Sequence, residues 1–242
     1  MPAHSPSNLK HILLLIATGC LLGALTVVTT VLGPTAPAFA SCSSHHTNVE
    51  GDDFGSNRYG NSAEIYVNTS STIDSLNDSI FRSLFVTSGS WDNDVEIGWS
   101  AHNGDHSGPT VYAEWVNRGV DSGPQFYTGY SLNHNSYSSF SVFNSGHQGI
   151  FRFKVDNQSS PFSYSPTMNF NLGPIITNSE HDNSCDSLWT DMFSLSYFNS
   201  SGNWIAGYGN LECFYDNSVN DWLFNVIDNS ELKVDENTDL TC

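Results

Sequence analysis

A period-two alternation of apolar and polar residues, recurring in short segments with turn-forming clusters between them, limits this chain to very few architectures. Alternation runs through residues 63–67, 83–86, 95–101, 110–116, 125–130, 139–143, 150–155, 167–172, 192–198 and 223–227. Between them lie turn-forming sequences such as Asn103-Gly104-Asp105, Asp121-Ser122-Gly123-Pro124, Asn144-Ser145-Gly146 and Asp156-Asn157-Gln158. Helix formers are scarce: after residue 40 there are only four alanines (Ala63, Ala101, Ala113, Ala206) and two lysines, so propensity does not favour helix where packing leaves the choice open. The pattern predicts an all-β chain folded as one antiparallel β-sandwich of the jelly-roll kind over residues 59–228. Residues 41–58 read as a loose leader and 229–242 as a polar tail pinned by Cys242.

The N-terminus reads as an export signal. Lys10 and His11 precede an apolar run, Ile12 to Leu32, followed by Ala38-Phe39-Ala40. This predicts a signal peptide over residues 1–40, cleavage before Ser41 and a secreted product. Left uncleaved, the 21-residue run is long enough to span a bilayer, the one route to a membrane association. A lipoprotein signal around Cys20 fits less well, because apolar sequence continues past it. Cys42, Cys185, Cys213 and Cys242 remain after cleavage. An even number in an exported chain reads as two disulfides with three possible pairings, of which Cys185–Cys213 and Cys42–Cys242 are favoured over a zinc site, since no C-x-x-C pair exists. Asn68, Asn77, Asn157 and Asn199 head glycan-type triplets.

Charge excludes further classes. Acidic residues number 25 against 7 basic ones, a net charge of −18, which denies the chain the cationic face a nucleic-acid binder needs. Only 13% of residues are charged and 13% are aromatic, unlike a disordered chain. A monomer without cofactor is expected. No G-x-S-x-G elbow offers a serine nucleophile. His102 and His106 flank a turn and not one helical face, and Asp92-Asn93-Asp94-Val95-Glu96 lacks the glycine and distal glutamate of a calcium loop. No metal site is therefore expected.

Carboxylates remain, and glutamate is rare enough to inspect singly. Of 25 acids 17 are Asp and 8 are Glu, and three glutamates stand in suggestive settings: Glu96 in Val95-Glu96-Ile97-Gly98-Trp99, Glu114 in Tyr112-Ala113-Glu114-Trp115, and Glu180 in Thr177-Asn178-Ser179-Glu180. The first segment resembles the strand of neprosin-type glutamic peptidases, where an acid precedes a Gly-Trp pair; fungal glutamic peptidases carry glutamine there. The second resembles the Tyr-x-Glu-Trp strand of the fungal enzymes, and the third their Asn-Ala-Glu segment. Here His181 follows Glu180 where that family has tryptophan.

The resemblance implies a concanavalin-like sandwich that hydrolyses polypeptides outside the cell. Glu96 and Glu180 would be its catalytic pair, Trp99, Tyr112 and Trp115 would wall the cleft, and Glu114 would orient its neighbours. Two facing carboxyls share a proton, one acting as base on water and the other as donor to an oxyanion. A β-sandwich glycosidase and a non-catalytic carbohydrate-binding module are the rival readings, since one fold hosts all three.

Overall fold

A computed structural model describes residues 47–53, 55, 58–68, 79–89, 92–102, 106–130, 132–156, 158–181, 190–209, 211–216 and 222–236. Strands follow one another as β1 (Thr47–Asp53), β2 (Gly60–Val67), β3 (Ser79–Thr87), β4 (Asn93–His102), β5 (His106–Asn117), β6 (Val120–Asp121), β7 (Gln125–Phe126) and β8 (Ser136–Phe143). The second half adds β9 (Arg152–Val155), β10 (Ser163–Tyr164), β11 (Ile175–His181), β12 (Thr190–Phe198), β13 (Trp204–Ala206), β14 (Leu211–Asp216), β15 (Trp222–Asp228) and β16 (Glu231–Glu236). Among the described residues there is no helix. The sequence's expectation of an all-β antiparallel sandwich holds.

The strands form two eight-stranded antiparallel sheets. The first runs β14-β1-β11-β3-β4-β5-β6 with β7 on β5, the second β10-β9-β8-β2-β12-β16-β15 with β13 on β12. Alternation sets their faces, because successive side chains point to opposite sides of a strand. On β4, Val95, Ile97 and Trp99 join one apolar core with Ile65 and Val67 of β2 and Phe140 and Val142 of β8. Polar ties cross that core. The Trp99 indole Nε1 donates to the Tyr66 carbonyl at 3.2 Å, and Asn61 Nδ2 of β2 donates to the carbonyls of Phe85 and Ile176 in the first sheet at 3.1 and 2.8 Å.

Three expectations need correction. Residues 47–53, expected within a loose leader, form β1 and lie between β14 and β11. The end of that strand is anchored. Buried Asp53 accepts from Arg58 Nη2 at 3.0 Å, from the Gly55 amide at 2.8 Å and from the Gly209 amide at 2.7 Å, while the Arg58 guanidinium stacks 3.5 Å from the Tyr197 ring centroid. Residues 231–236, expected in a polar tail pinned by Cys242, form β16 between β12 and β15. Residues 167–172 alternate as a strand would, with Met168 and Phe170 buried and Thr167 and Asn169 exposed, yet no ladder forms there. Their backbone is matched by loop partners instead: the Met168 amide donates to the Gly149 carbonyl, and the Asn117 side chain bonds the Thr167 carbonyl and the Asn169 amide.

Residues 1–40 and Cys42, Cys185 and Cys242 lie outside the described residues, and so do the expected signal peptide and disulfide pairings. Cys213 lies in β14 opposite Gly51.

Candidate active site

The face of the first sheet turned away from the core carries the candidate residues. Register fixes which of them are neighbours, since residues directly opposite on antiparallel strands share a face. Three rows cross β11, β3, β4 and β5. Glu180, Phe81, Ser100 and Thr110 form one row, Asn178, Ser83, Gly98 and Tyr112 the next, and Ile176, Phe85, Glu96 and Glu114 the third. Glu96 and Glu180 thus occupy one face on a diagonal, with Ser83 at its centre.

Glu96 is buried, and the Tyr112 hydroxyl donates a short hydrogen bond to its Oε1. Gly98 stands opposite Tyr112 on β4. A Cβ at Gly98 would run into the Arg82 carbonyl oxygen and lie 2.8 Å from Ser83 Cα, so the close approach of β3 and β4 at the centre of the site requires glycine. Phe81 packs edge-on against the Tyr112 ring, with centroids 5.2 Å apart. Asn178 Nδ2 donates to Glu180 Oε2 at 3.2 Å. From the core side, Arg82 Nη1 holds the carbonyls of Phe81 and Glu180 at 2.7 and 3.1 Å.

Burial and like charge act together on the carboxyls. Burial, then the Glu114 carboxylate opposite, push Glu96 well above the usual carboxylate range, and Glu180 adds to the rise. Tyr112 and Ser83 oppose it, although Ser83 Oγ closes no hydrogen bond of ordinary geometry. Glu114 is pushed up to about 8 by burial and by a hydrogen bond and charge from Asp121, with Asp94 and Glu180 contributing less. Asp94 rises to about 7 through burial and Asp121, partly offset by the Val116 backbone. Such a group carries protons at acid pH that an exposed cluster would shed.

The structure brings together Glu96, Glu180, Tyr112 and Glu114 on this face. It does not bring Trp99 or Trp115 there. Trp99 is fully buried between the sheets, and Trp115 stacks on Phe153 of the core at 6.4 Å, so both tryptophans build the core and neither walls a cleft. Ser83, Ser100, Asn178 and Asp94 share the site's face without having been expected there. The available signal was spacing: Asn178 and Asp94 each stand two residues before a candidate glutamate, which places them on its face. Among the described residues no group of three His, Cys, Asp or Glu side chains is placed to hold a metal ion.

No family model and no curated protein matches the chain. Solved structures do match its fold. A scytalido-glutamic peptidase with a peptide-based transition-state analogue is 11% identical, with a TM-score of 0.55, covering 81% of this chain and 100% of its own. The peptidase SCP-B of the eqolisin family, in complex with the tripeptide Ala-Ile-His, is 11% identical with a TM-score of 0.51 and the same coverage. A Bacillus licheniformis β-glucanase is 14% identical, covering 75% of this chain and 67% of its own, at a TM-score of 0.36. At these identities the first two likenesses establish a shared sandwich fold.

Proposed function

We propose that this chain is a secreted endopeptidase active at acid pH, with Glu180 as general base and Glu96, protonated, as the electrophilic partner. The observation that carries this reading is the buried Glu96 carboxyl on the same face as Glu180, raised far enough to keep its proton where an ordinary carboxylate has lost it. Glu180 accepts a hydrogen bond from Asn178, which suits an ionised acceptor. Water attacks the scissile carbonyl carbon as Glu180 takes its proton, and Glu96 donates to the oxygen that becomes negative. The tetrahedral adduct collapses when Glu180 returns the proton to the amide nitrogen and the C–N bond breaks. Peptidases among the structures sharing this fold support a polypeptide substrate; that the monomeric enzyme meets it outside the cell rests on the reading of residues 1–40 as an export signal.

The roles make separable predictions for purified protein of residues 41–242, assayed on an unfolded protein substrate between pH 3 and 8. Glu180→Gln lowers kcat by about 10³-fold or more, because no base remains. Glu96→Leu does the same by removing the donor, whereas Glu96→Gln keeps an N–H donor at every pH, so it retains activity and extends it toward neutral pH. Turnover that survives Glu180→Gln and Glu96→Leu combined overturns the assignment. Cleavage of glycans with no proteolysis transfers the pair to a glycosidase, and glycan binding without turnover leaves a carbohydrate-binding module.

A further inference from the structure

We infer that the outer face of the second sheet is a binding track for an acidic polysaccharide, separate from the glutamate face and independent of the peptidase reading. Register lays two rows across this sheet. Tyr164, Arg152, Phe143, Gly60, Phe198 and Trp204 stand opposite one another in turn from β10 to β13. Two residues along each strand, Lys154, Ser141, Ser62 and Ser196 form a parallel row about 7 Å away. Phe153, Val142 and Ala63 alternate with these residues and join the core, so both rows face outward. Gly60 lets the rings of the first row meet. A Cβ there would lie 2.5 Å from Phe143 Cβ; over the bare backbone the Phe143 and Phe198 centroids approach to 5.3 Å, with Trp204 at 5.6 and 5.1 Å from them. Both ends of the row are open, Trp204 being 40% exposed and Tyr164 53%. From β9 to β13 the row extends about 19 Å, a track for a chain and not a pocket for one ring.

An open aromatic row beside a line of hydroxyls suits a sugar chain, whose rings offer C–H faces for stacking and hydroxyls at their edges. Among the described residues the Ser141 and Ser196 hydroxyls have no hydrogen-bond partner. Ser62 Oγ donates to the Phe140 carbonyl at 3.0 Å and keeps its lone pairs for a ligand. Charge selects the acidic class. Of the seven bases in the chain, Arg58 is held by Asp53 and Arg82 by backbone carbonyls. Arg152 and Lys154 stand two residues apart on this face, and among the described residues neither has an ion-pair or hydrogen-bond partner. Glu64 and Asp156 lie one row farther on, at Ser139, whose amide donates to Asp156 Oδ1 at 3.1 Å. Two uncommitted cations at the β9 end of the track complement the carboxylate of a uronic acid whose ring stacks on the aromatic row. An anionic membrane or a nucleic acid would need a broader cationic field than a chain of net charge −18 offers.

Calorimetric titration of the purified protein with polygalacturonate at low salt tests this, with fully methyl-esterified polygalacturonate as the same sugar chain without its charge. The acid polymer binds, and the affinity falls by about tenfold or more for the ester, at high salt, in Trp204→Ala and in Arg152→Gln combined with Lys154→Gln. Absence of binding to the acid polymer overturns the proposal. Binding that either variant retains in full lies elsewhere on the molecule and overturns the track, and equal binding of the ester overturns the acidic class. Binding to phosphatidylserine vesicles that both variants lose reassigns the face to a membrane. Where Trp204→Ala does not fold, Tyr164→Ala at the other exposed end of the row decides the aromatic contribution.

Discussion

The proton on Glu96 is held by a balance in which Tyr112 takes the minor side. Its hydroxyl donates to Oε1 and so favours the ionised form, against burial and the Glu114 charge. Removing it in Tyr112→Phe raises Glu96 further, and the alkaline limb of the pH–activity profile moves to higher pH. A shift to lower pH contradicts that balance. The same change costs about 1 kcal/mol of stability for the lost hydrogen bond, read from the denaturant midpoint. At this scale the sequence was legible where parity could be counted from a known anchor. Glutamate is scarce, so Glu96 and Glu180 stood out, and residues two positions away share their face. Trp99 is three residues from Glu96, and Trp115 one from Glu114. Odd offsets in a strand point to the opposite side, and the indoles accordingly pack the core. A motif read as a block of neighbours hides that alternation.

Among the elements, β1 departs most from what its residues suggest. Thr47–Asp53 reads TNVEGDD, with one aliphatic side chain, too little apolar pattern to mark a strand. Its place comes from partners far along the chain and from the Asp53 anchor, which no local signal encodes. Replacing Asp53 with alanine leaves the Arg58 guanidinium without its carboxylate and two amides without their acceptor, and we expect a loss of about 3–5 kcal/mol. A urea midpoint within error of wild type contradicts this account of the anchor. The opposite case is the 167–172 segment, where real alternation produced no ladder. An extended chain alternates its faces whether or not a neighbour bonds it, so periodicity reports extension and burial while strand status depends on who lies alongside. The ladder strands β2, β4 and β8 satisfied both conditions and were readable from sequence.

Across the whole molecule, 25 acids against 7 bases make carboxyl protonation the main lever on stability. Glu114 at about 8 and Asp94 at about 7, with Glu96 also raised, keep protons in the folded state that an unfolded chain releases near ordinary carboxylate values. From about pH 4 to pH 8 the native state therefore binds more protons, and stability falls as pH rises through that window. Calorimetry should show a higher Tm at pH 5 than at pH 8, with net proton release on unfolding at pH 6; proton uptake there contradicts the raised carboxyls. Such a dependence matches the acid range in which the proposed chemistry operates.

The position of β1 also bears on the order in which the molecule can be made. The strand leaves the ribosome early, but its two neighbours are residues 175–181 and 211–216, and contacts of such sequence separation form late. The strand that bears Glu180 acquires its second neighbour only when β1 returns to it. Assembly of the acidic face thereby waits for residues 175–181, which must emerge before β11 can join β3 on one side and β1 on the other.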